Sequence, residues 1–304
     1  MTTVAKIGGA RAVDPAGALA DVAALVADGE DVIVVHGGST AVDDTLEDLG
    51  ETPEYVETPA GVVGRFTDER TIDVFEMVLP GKLNTDLVAG LQAEGVNAVG
   101  LSGVDGALLA GPRKSAIRVV EDGKKKIRRG DFSGTIEDVN SDLLATLLDG
   151  GYTPVVTVPM LADGDTPANA DADRAAAAIA GALDGRLVSL TDVPGVLRDP
   201  EEADTLIERV ESESELDALR DAAAGFMHRK VMAAIEALEN GASEVIVADA
   251  NGETPITAAL AGGGTHVLPG AVGREGDGAA GSDETDAGDD GTENTSENEG
   301  AIES

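Results

Sequence analysis

Cysteine is absent from all 304 residues, which excludes disulfide bridges and thiolate metal sites. Tryptophan is absent as well and aromatics make up only 2%, so a core must be assembled from Ala, Val, Leu and Ile, within an apolar total of 42%. Basic residues are scarce: 21 Lys and Arg stand against 58 Asp and Glu, a formal net charge of -37. A surface of that sign repels phosphate backbones and anionic headgroups, so nucleic acid and membrane are not expected partners. It stays hydrated in concentrated salt, where screening removes most self-repulsion, and reads as halophilic adaptation rather than as an acidic protein of ordinary cytosol. Histidine is limited to positions 36, 228 and 266, too scattered for a ligand cluster, so no protein metal site is predicted. No apolar run approaches the roughly 18 residues of a membrane span, and MTTVAKIGG lacks the apolar region of a signal peptide; the expected location is the cytoplasm.

What is present is an alternation of short β-branched runs with helical periods, the pattern of a mainly parallel sheet with crossover helices. Strands are predicted at Val4–Ile7, Val32–Val35, Ala98–Leu101, Pro154–Val158, Leu187–Leu190, Val245–Ala248 and Val267–Leu268. Helices are predicted near Glu69–Leu79, Asn84–Glu94, Ser141–Leu148, Asp173–Leu183 and Met227–Asn240. A first helix begins at Asp14-Pro15, as N-cap and first-turn proline, and stops at Gly29. Residues 117–129, with Gly123 in the middle, read as a β-hairpin projecting from the sheet. From Arg274 to Ser304 the chain is Gly, Ser, Thr, Asn and acid, too polar to fold.

Ligands of open parallel sheets lie at the carboxyl ends of strands. Two such ends run into glycine pairs here: Lys6-Ile7-Gly8-Gly9 and His36-Gly37-Gly38-Ser39. Paired glycines let backbone N–H groups approach an anion, and a helix N-terminus behind them favours negative charge. Neither GxxxxGK[ST] nor GxGxxG occurs, which excludes a P-loop and a dinucleotide fingerprint. In a chain so poor in lysine, Lys6 sits inside a buried strand and Lys230 on an Ala- and Met-rich helix. Two cations flanking a transferring phosphoryl group would stabilise its charge without proton transfer.

The segments VAKIGG (4–9), VVHGGS (34–39), GRFTD (64–68), LSGVDG (101–106), NADADRAA (169–176), LTDVPGVL (190–197) and MHRKV (227–231) together resemble the amino acid kinase family, in its acetylglutamate kinase branch. The resemblance runs in order from Val4 to about Leu268. It implies a three-layer αβα sandwich around an open, mainly parallel sheet. Residues 1–172 would bind the acceptor and residues 173–272 ATP, with 273–304 a disordered acidic tail. It also implies that Lys6 and Lys230 stabilise the transition state and that Asp173 holds both. Arg65 and Asn169 would grip the acceptor, bordered by Gly37, Gly38 and Ser39. Gly8, Gly9 and Gly37 would cradle phosphate, with Thr191, Asp192 and Gly195 near the nucleotide. Arg65 as a surface ion pair, and Asn169 and Asp173 as helix N-caps, are the alternatives read from the residues alone. A side-chain carboxylate acceptor, ionised near pH 7, needs no general base, and His36 reads as a packing residue. Magnesium would arrive with ATP, held mainly by phosphate.

Eight of the 21 basic residues fall within 17 positions: Arg113, Lys114, Arg118, Lys124, Lys125, Lys126, Arg128 and Arg129. This local inversion of sign would orient an acidic macromolecule. The resemblance agrees: one subgroup of the family phosphorylates glutamate or 2-aminoadipate attached to a small acidic amino-group carrier protein, in arginine or lysine biosynthesis. Ser39 in place of a third glycine, and Asn169-Ala170-Asp171 in place of Asn-x-Asn, separate this chain from acetylglutamate kinases. No extension precedes the first strand, so no arginine-sensing helix is expected there, and the family implies a homodimer. The alternatives are a kinase of free N-acetylglutamate and a non-catalytic sensor on the same fold.

Overall fold

A strand that is apolar at every position cannot leave either face in water, so the sheet it joins must be covered on both sides. Val32–His36 and Thr3–Ile7 are buried at all positions. The computed structural model describes residues 1–8, 15–59, 61, 63–121, 123–223 and 225–274. Gly9, Asp14 and the stretch 275–304 therefore lie outside the described residues.

In chain order the first elements are β1 (Thr3–Ile7), α1 (Pro15–Ala27), β2 (Val32–His36), α2 (Ser39–Asp48), β3 (Tyr55–Glu57), β4 (Val63–Arg65), α3 (Glu69–Glu76) and α4 (Asn84–Ala93). There follow β5 (Ala98–Gly103), β6 (Leu109–Gly111), β7 (Ala116–Glu121), β8 (Lys124–Arg129), β9 (Asp138–Val139), α5 (Ser141–Asp149), β10 (Thr153–Ala162) and β11 (Thr166–Ala168). The chain continues through α6 (Ala172–Ala182), β12 (Arg186–Thr191), β13 (Arg209–Val210), α7 (Glu213–Ala222), α8 (Gly225–Glu239), β14 (Glu244–Asp249), α9 (Pro255–Leu260) and β15 (Thr265–Val267).

The main sheet runs β13-β15-β14-β12-β1-β2-β10-β6-β9, with β5 and β11 also paired to β10. Its central ladders are parallel, β1 lying between β12 and β2. The period of two sorts the strand side chains into two layers. Val4, Ile33, Val35, Val156, Leu187 and Val245 pack on one side, toward α2, α3, α5, α6 and α8. Ala5, Val34, Val155, Val188 and Ile246 pack on the other, toward α1, α4 and α9. The result is the expected three-layer αβα sandwich, with small Ala175, Ala176, Ala177 and Ala180 letting α6 lie close to the sheet. Lys6 falls on the Val4 face, the face that α6 covers.

Four features depart from the sequence reading. The predicted helix 69–79 stops at Glu76 and passes through a π-helical segment, Met77–Leu83, into α4. Pro80 has no N–H for the α-helical ladder, and the wider turn absorbs the break. The hairpin 117–129 does not project from the main sheet. Its strands join β3 and β4 in a separate antiparallel sheet, β4-β3-β7-β8, with a small core of Val56, Phe66 and Val119. Helix α2 is not evident in the sequence because its run STAVDDTLED is mostly polar and acidic and buries only Val42 and Leu46. Arg274, assigned to the tail by composition, is anchored. Its guanidinium donates to the carbonyls of Leu238, Gly241 and Ala242, at and just past the carboxyl end of α8.

One contact joins the two ends of the chain. Asp21 on α1 is 1% exposed, and its carboxylate accepts from the N–H groups of Ile256 (2.6 Å) and Thr257 (2.9 Å) and from the Thr257 hydroxyl (2.5 Å). It caps α9, whose own Thr254 makes no side-chain cap. Asp21→Ala strands two buried donors and is expected to cost about 2–3 kcal/mol, with Asp21→Asn costing less. Denaturant unfolding midpoints of the two variants check this.

Candidate active site

Strand β1 is where the sheet changes direction. From β1 the chain builds outward through β2 and β10 on one side, then returns to add β12 and β14 on the other. Strands diverge from such a switch point, and a crevice opens at their carboxyl ends. Lys6, one residue from the end of β1, reaches that crevice and is only 6% exposed. Facing it is Asp173, in the first turn of α6: Lys6 Nζ lies 2.7 Å from Asp173 Oδ1, and Lys230 Nζ, from α8, lies 3.4 Å from the same oxygen. The two lysines and the aspartate named from the sequence thus share one point.

Asp173 is free for this because it does not cap its helix. Asp171 is the N-cap of α6, accepting from the N–H groups of Asp173 (2.8 Å) and Arg174 (3.4 Å). Capping by Asn169 or Asp173, the alternative left open by the residues alone, is therefore incorrect. Asn and Asp are equivalent caps, so the third residue of Asn169-Ala170-Asp171 is explained by the helix end rather than by a ligand. Asn169 sits in the adjoining backbone. Its N–H donates to the Phe132 carbonyl (2.7 Å) and its side-chain amide to the Thr67 hydroxyl (3.2 Å). Buried Asp131 steadies this floor by accepting from the Thr67 N–H at 3.2 Å.

The cluster carries one more positive than negative charge. Burial alone would raise the Asp173 carboxyl, but the Lys6 and Lys230 ammonium groups outweigh it and hold it below the usual carboxylate range. Burial lowers Lys230, as does the neighbouring Lys6 charge, with Asp173 opposing. His36, 2% exposed, is lowered to about 4, chiefly by burial and further by Lys6, while a hydrogen bond to the Gly37 carbonyl opposes the shift. A carbonyl only accepts, so Nδ1 carries the proton of that 3.0 Å bond. The ring is neutral at pH 7 and its packing role holds.

The second loop is shaped by its neighbours. A Cβ on Gly38 would meet Leu83 Cδ1 at 2.2 Å and Leu79 Cδ2 at 2.8 Å, so the π-helical segment requires glycine there. Gly37 lies beneath Ala172, and Ser39 opens α2. Arg65 closes over this loop, donating to the Ser39 carbonyl (3.0 Å) and the Tyr55 hydroxyl (3.0 Å) and pairing with Asp43. Tyr55 in turn donates to Asp43 at 2.7 Å. The Arg65 side chain is 6% exposed, stacked on the Tyr55 and Phe75 rings, so the surface ion-pair reading is excluded. The holders Asp43 and Tyr55 escaped the sequence reading. Nothing local distinguishes one aspartate of an acidic helix from its neighbours.

Gly8 directly follows β1, while Gly9 lies outside the described residues. Thr191 ends β12, buried, its hydroxyl donating to exposed Asp192 at 3.2 Å. Gly195 (φ 156°) is buried under Leu206 and Thr265, each 2.7 Å from where a Cβ would stand, so packing accounts for the glycine. Among the basic residues, Arg113 is held in the fold. It stacks 3.5 Å over Phe132 and donates to the Asp131 carbonyl. Arg128 pairs with Glu54 (2.6 and 2.9 Å) and Glu121, 4.3 Å over Phe66. Lys126, also exposed, pairs with Glu121 at 2.8 Å, and Lys114, Arg118, Lys124, Lys125 and Arg129 are exposed on the surface. Among the described residues no group of three or more His, Cys, Asp or Glu could hold a metal, and no helix is long and apolar enough to cross a membrane.

Stability is expected to fall as pH drops through the window from 6.5 toward 4. The unfolded chain protonates His36 in that window and the folded one does not, worth about 3 kcal/mol for a shift of that size. Unfolding free energies of wild type and His36→Gln, measured between pH 7 and 4, should converge as the pH falls.

Comparison with known proteins bears on the family and the fold. The profile described as "Amino acid kinase family" matches residues 1–249. The LysW-aminoadipate kinase of Thermus thermophilus is 45% identical over 270 residues, covering 87% of this chain and 99% of that protein. The acetylglutamate kinase of Methanopyrus kandleri is 44% identical over 226 residues, covering 73% and 87% respectively. Among solved structures, N-acetylglutamate synthase from Neisseria gonorrhoeae aligns with a TM-score of 0.71 at 26% identity, over 88% of this chain and 59% of that one.

Proposed function

The chain belongs to the amino acid kinase family, and on that premise we propose that it moves the γ-phosphoryl group of ATP onto the side-chain carboxylate of 2-aminoadipate or glutamate, held by its amino group on a small acidic carrier protein. The observation that carries the chemistry is Asp173 set between Lys6 and Lys230 at the carboxyl end of the central strand. The carrier-linked acceptor is favoured by the name and coverage of the Thermus relative and by the basic hairpin on a chain of net charge -37.

In this reading the acceptor carboxylate, already ionised, attacks the γ-phosphorus. The new bond is carboxyl oxygen to phosphorus, the broken one is the β–γ bridge, ADP leaves with its charge, and no proton moves. Lys6 and Lys230 neutralise charge on the oxygens in flight, and Asp173 keeps the ammonium groups aimed and apart. Arg65, steadied by Asp43 and Tyr55, takes the acceptor's free carboxylate, with Asn169 beside it and Gly37, Gly38 and Ser39 along its edge. Gly8 and Gly9 approach the phosphates, and Thr191, Asp192 and Gly195 flank the nucleotide. Magnesium arriving with ATP would supply further charge neutralisation and would be held mainly by the phosphates. Residues 1–172 form the acceptor side and 173–272 the ATP side of a homodimeric, cytoplasmic, salt-adapted enzyme serving lysine or arginine biosynthesis.

The second reading, a kinase of free N-acetylglutamate, is favoured by the Methanopyrus relative. An ATP-dependent hydroxamate assay in molar potassium chloride separates the two. Carrier-linked aminoadipate or glutamate should trap as hydroxamate at a kcat/KM at least tenfold above free N-acetylglutamate, and the reverse order would replace the proposal. Lys6→Ala and Lys230→Ala should each lower kcat by about 10²–10³-fold; wild-type rates in either would remove the catalytic assignment. Lys230 acts as an ammonium, so kcat/KM should fall on an alkaline limb lying below the ordinary lysine value of 10.5. Lys230→Arg should push that limb upward.

A further inference from the structure

Sheet register divides the basic hairpin into two unlike faces. Residues directly opposite in an antiparallel pair share a face, and successive residues alternate. Ile117 opposite Arg128, Val119 opposite Lys126 and Glu121 opposite Lys124 therefore look inward, with Val56. That side holds the small core of Val56, Phe66 and Val119, and two of its cations are already paired, Arg128 with Glu54 and Glu121, and Lys126 with Glu121. The other face carries Ala116 opposite Arg129, Arg118 opposite Ile127, and Val120 opposite both Lys125 and Glu57. It continues through Tyr55 opposite Arg65, and Glu57 opposite Val63.

This outer face exposes apolar surface as well as charge. Ile127 is 64% exposed, Val63 53% and Tyr55 51%. Tyr55 is one of only two tyrosines in the chain, and Arg118, Lys125 and Arg129 are exposed beside Ile127. The face ends at Arg65. Four strands at a spacing of about 4.8 Å put the β8 residues roughly 14 Å from the β4 strand that carries Arg65. In concentrated salt the screening length is about 3 Å, so recognition there must come from charges in contact and from apolar area, not from a distant field. An outer face with both, running into the acceptor-binding arginine, meets that requirement, and the inner face does not.

We infer that the acidic carrier docks on the outer face of the β4-β3-β7-β8 sheet, through Tyr55, Val63, Arg118, Lys125, Ile127 and Arg129, and not on the inner face. This rests on the carrier-linked reading of the acceptor. It narrows the basic cluster to three of its eight residues, Arg118, Lys125 and Arg129, and leaves Arg113 and Arg128 to holding the fold.

Two double variants with equal charge change test the face: Lys125→Glu with Arg129→Glu, and Lys124→Glu with Lys126→Glu. The probe is the purified carrier loaded with 2-aminoadipate, at saturating magnesium-ATP in molar potassium chloride, with thermal unfolding midpoints recorded for each protein. The outer pair should lose at least tenfold in kcat/KM for the loaded carrier, with the KM for ATP within twofold of wild type. The second pair should lose less than threefold, and Ile127→Ser alone about three- to tenfold. The neutral pair Lys125→Gln with Arg129→Gln, a milder change, should fall between wild type and the charge reversal. Equal losses in the two charge-reversed pairs, or none in the outer pair, overturn the face while leaving the carrier reading intact. If wild type turns over N-acetylglutamate but not the loaded carrier, the carrier reading itself fails and the docking face with it.

Discussion

One carboxylate between two ammonium groups sets the rest of this structure. Lys6 and Lys230 come from opposite ends of the chain, and without Asp173 two like charges would be buried within reach of each other. Such a pair is tolerable only with a partner, because desolvated ions cost several kcal/mol each when uncompensated. The surroundings follow from that need. Helix α6 is alanine-rich so that its first turn can approach β1, and Asp171 takes over the capping of α6 so that Asp173 does not have to.

The same division of labour recurs one layer out. Arg65 is positioned by Asp43 and Tyr55, and Gly38 is made necessary by Leu79 and Leu83 of the π-helical segment. Pro80, which lacks an N–H for an α-helical ladder, lies within that segment. The small four-stranded sheet then joins this arginine to an exposed surface of mixed apolar and basic character, on a molecule otherwise covered in acid. The lysine cluster belongs to the main sheet and the exposed basic and apolar face to the small one, with Arg65 at the edge of the latter.

Much of this was legible beforehand. The parallel core, the crossover helices and the hairpin follow from hydrophobic period and turn residues, which are local signals. Lys6 stood out because a buried strand in a lysine-poor chain has no bland use for an ammonium. Helices α2, α7 and α9 did not stand out, being short or acidic, with few buried residues to mark a period. Asp43 and Tyr55 were invisible for a related reason: each gains its meaning from a partner far along the chain.

The sequence by itself determined the fold class, the family and the set of charged residues that meet at the end of β1, because these are encoded in local periods and in motifs a few residues long. Only the tertiary structure decided which aspartate caps and which bridges the lysines, and which cations of the hairpin are exposed and which are engaged. It also decided that the hairpin belongs to a sheet of its own. The physical reason is that pairing, burial and register are properties of residues brought together from distant positions, and a one-residue difference in strand phase sends a side chain to the opposite face.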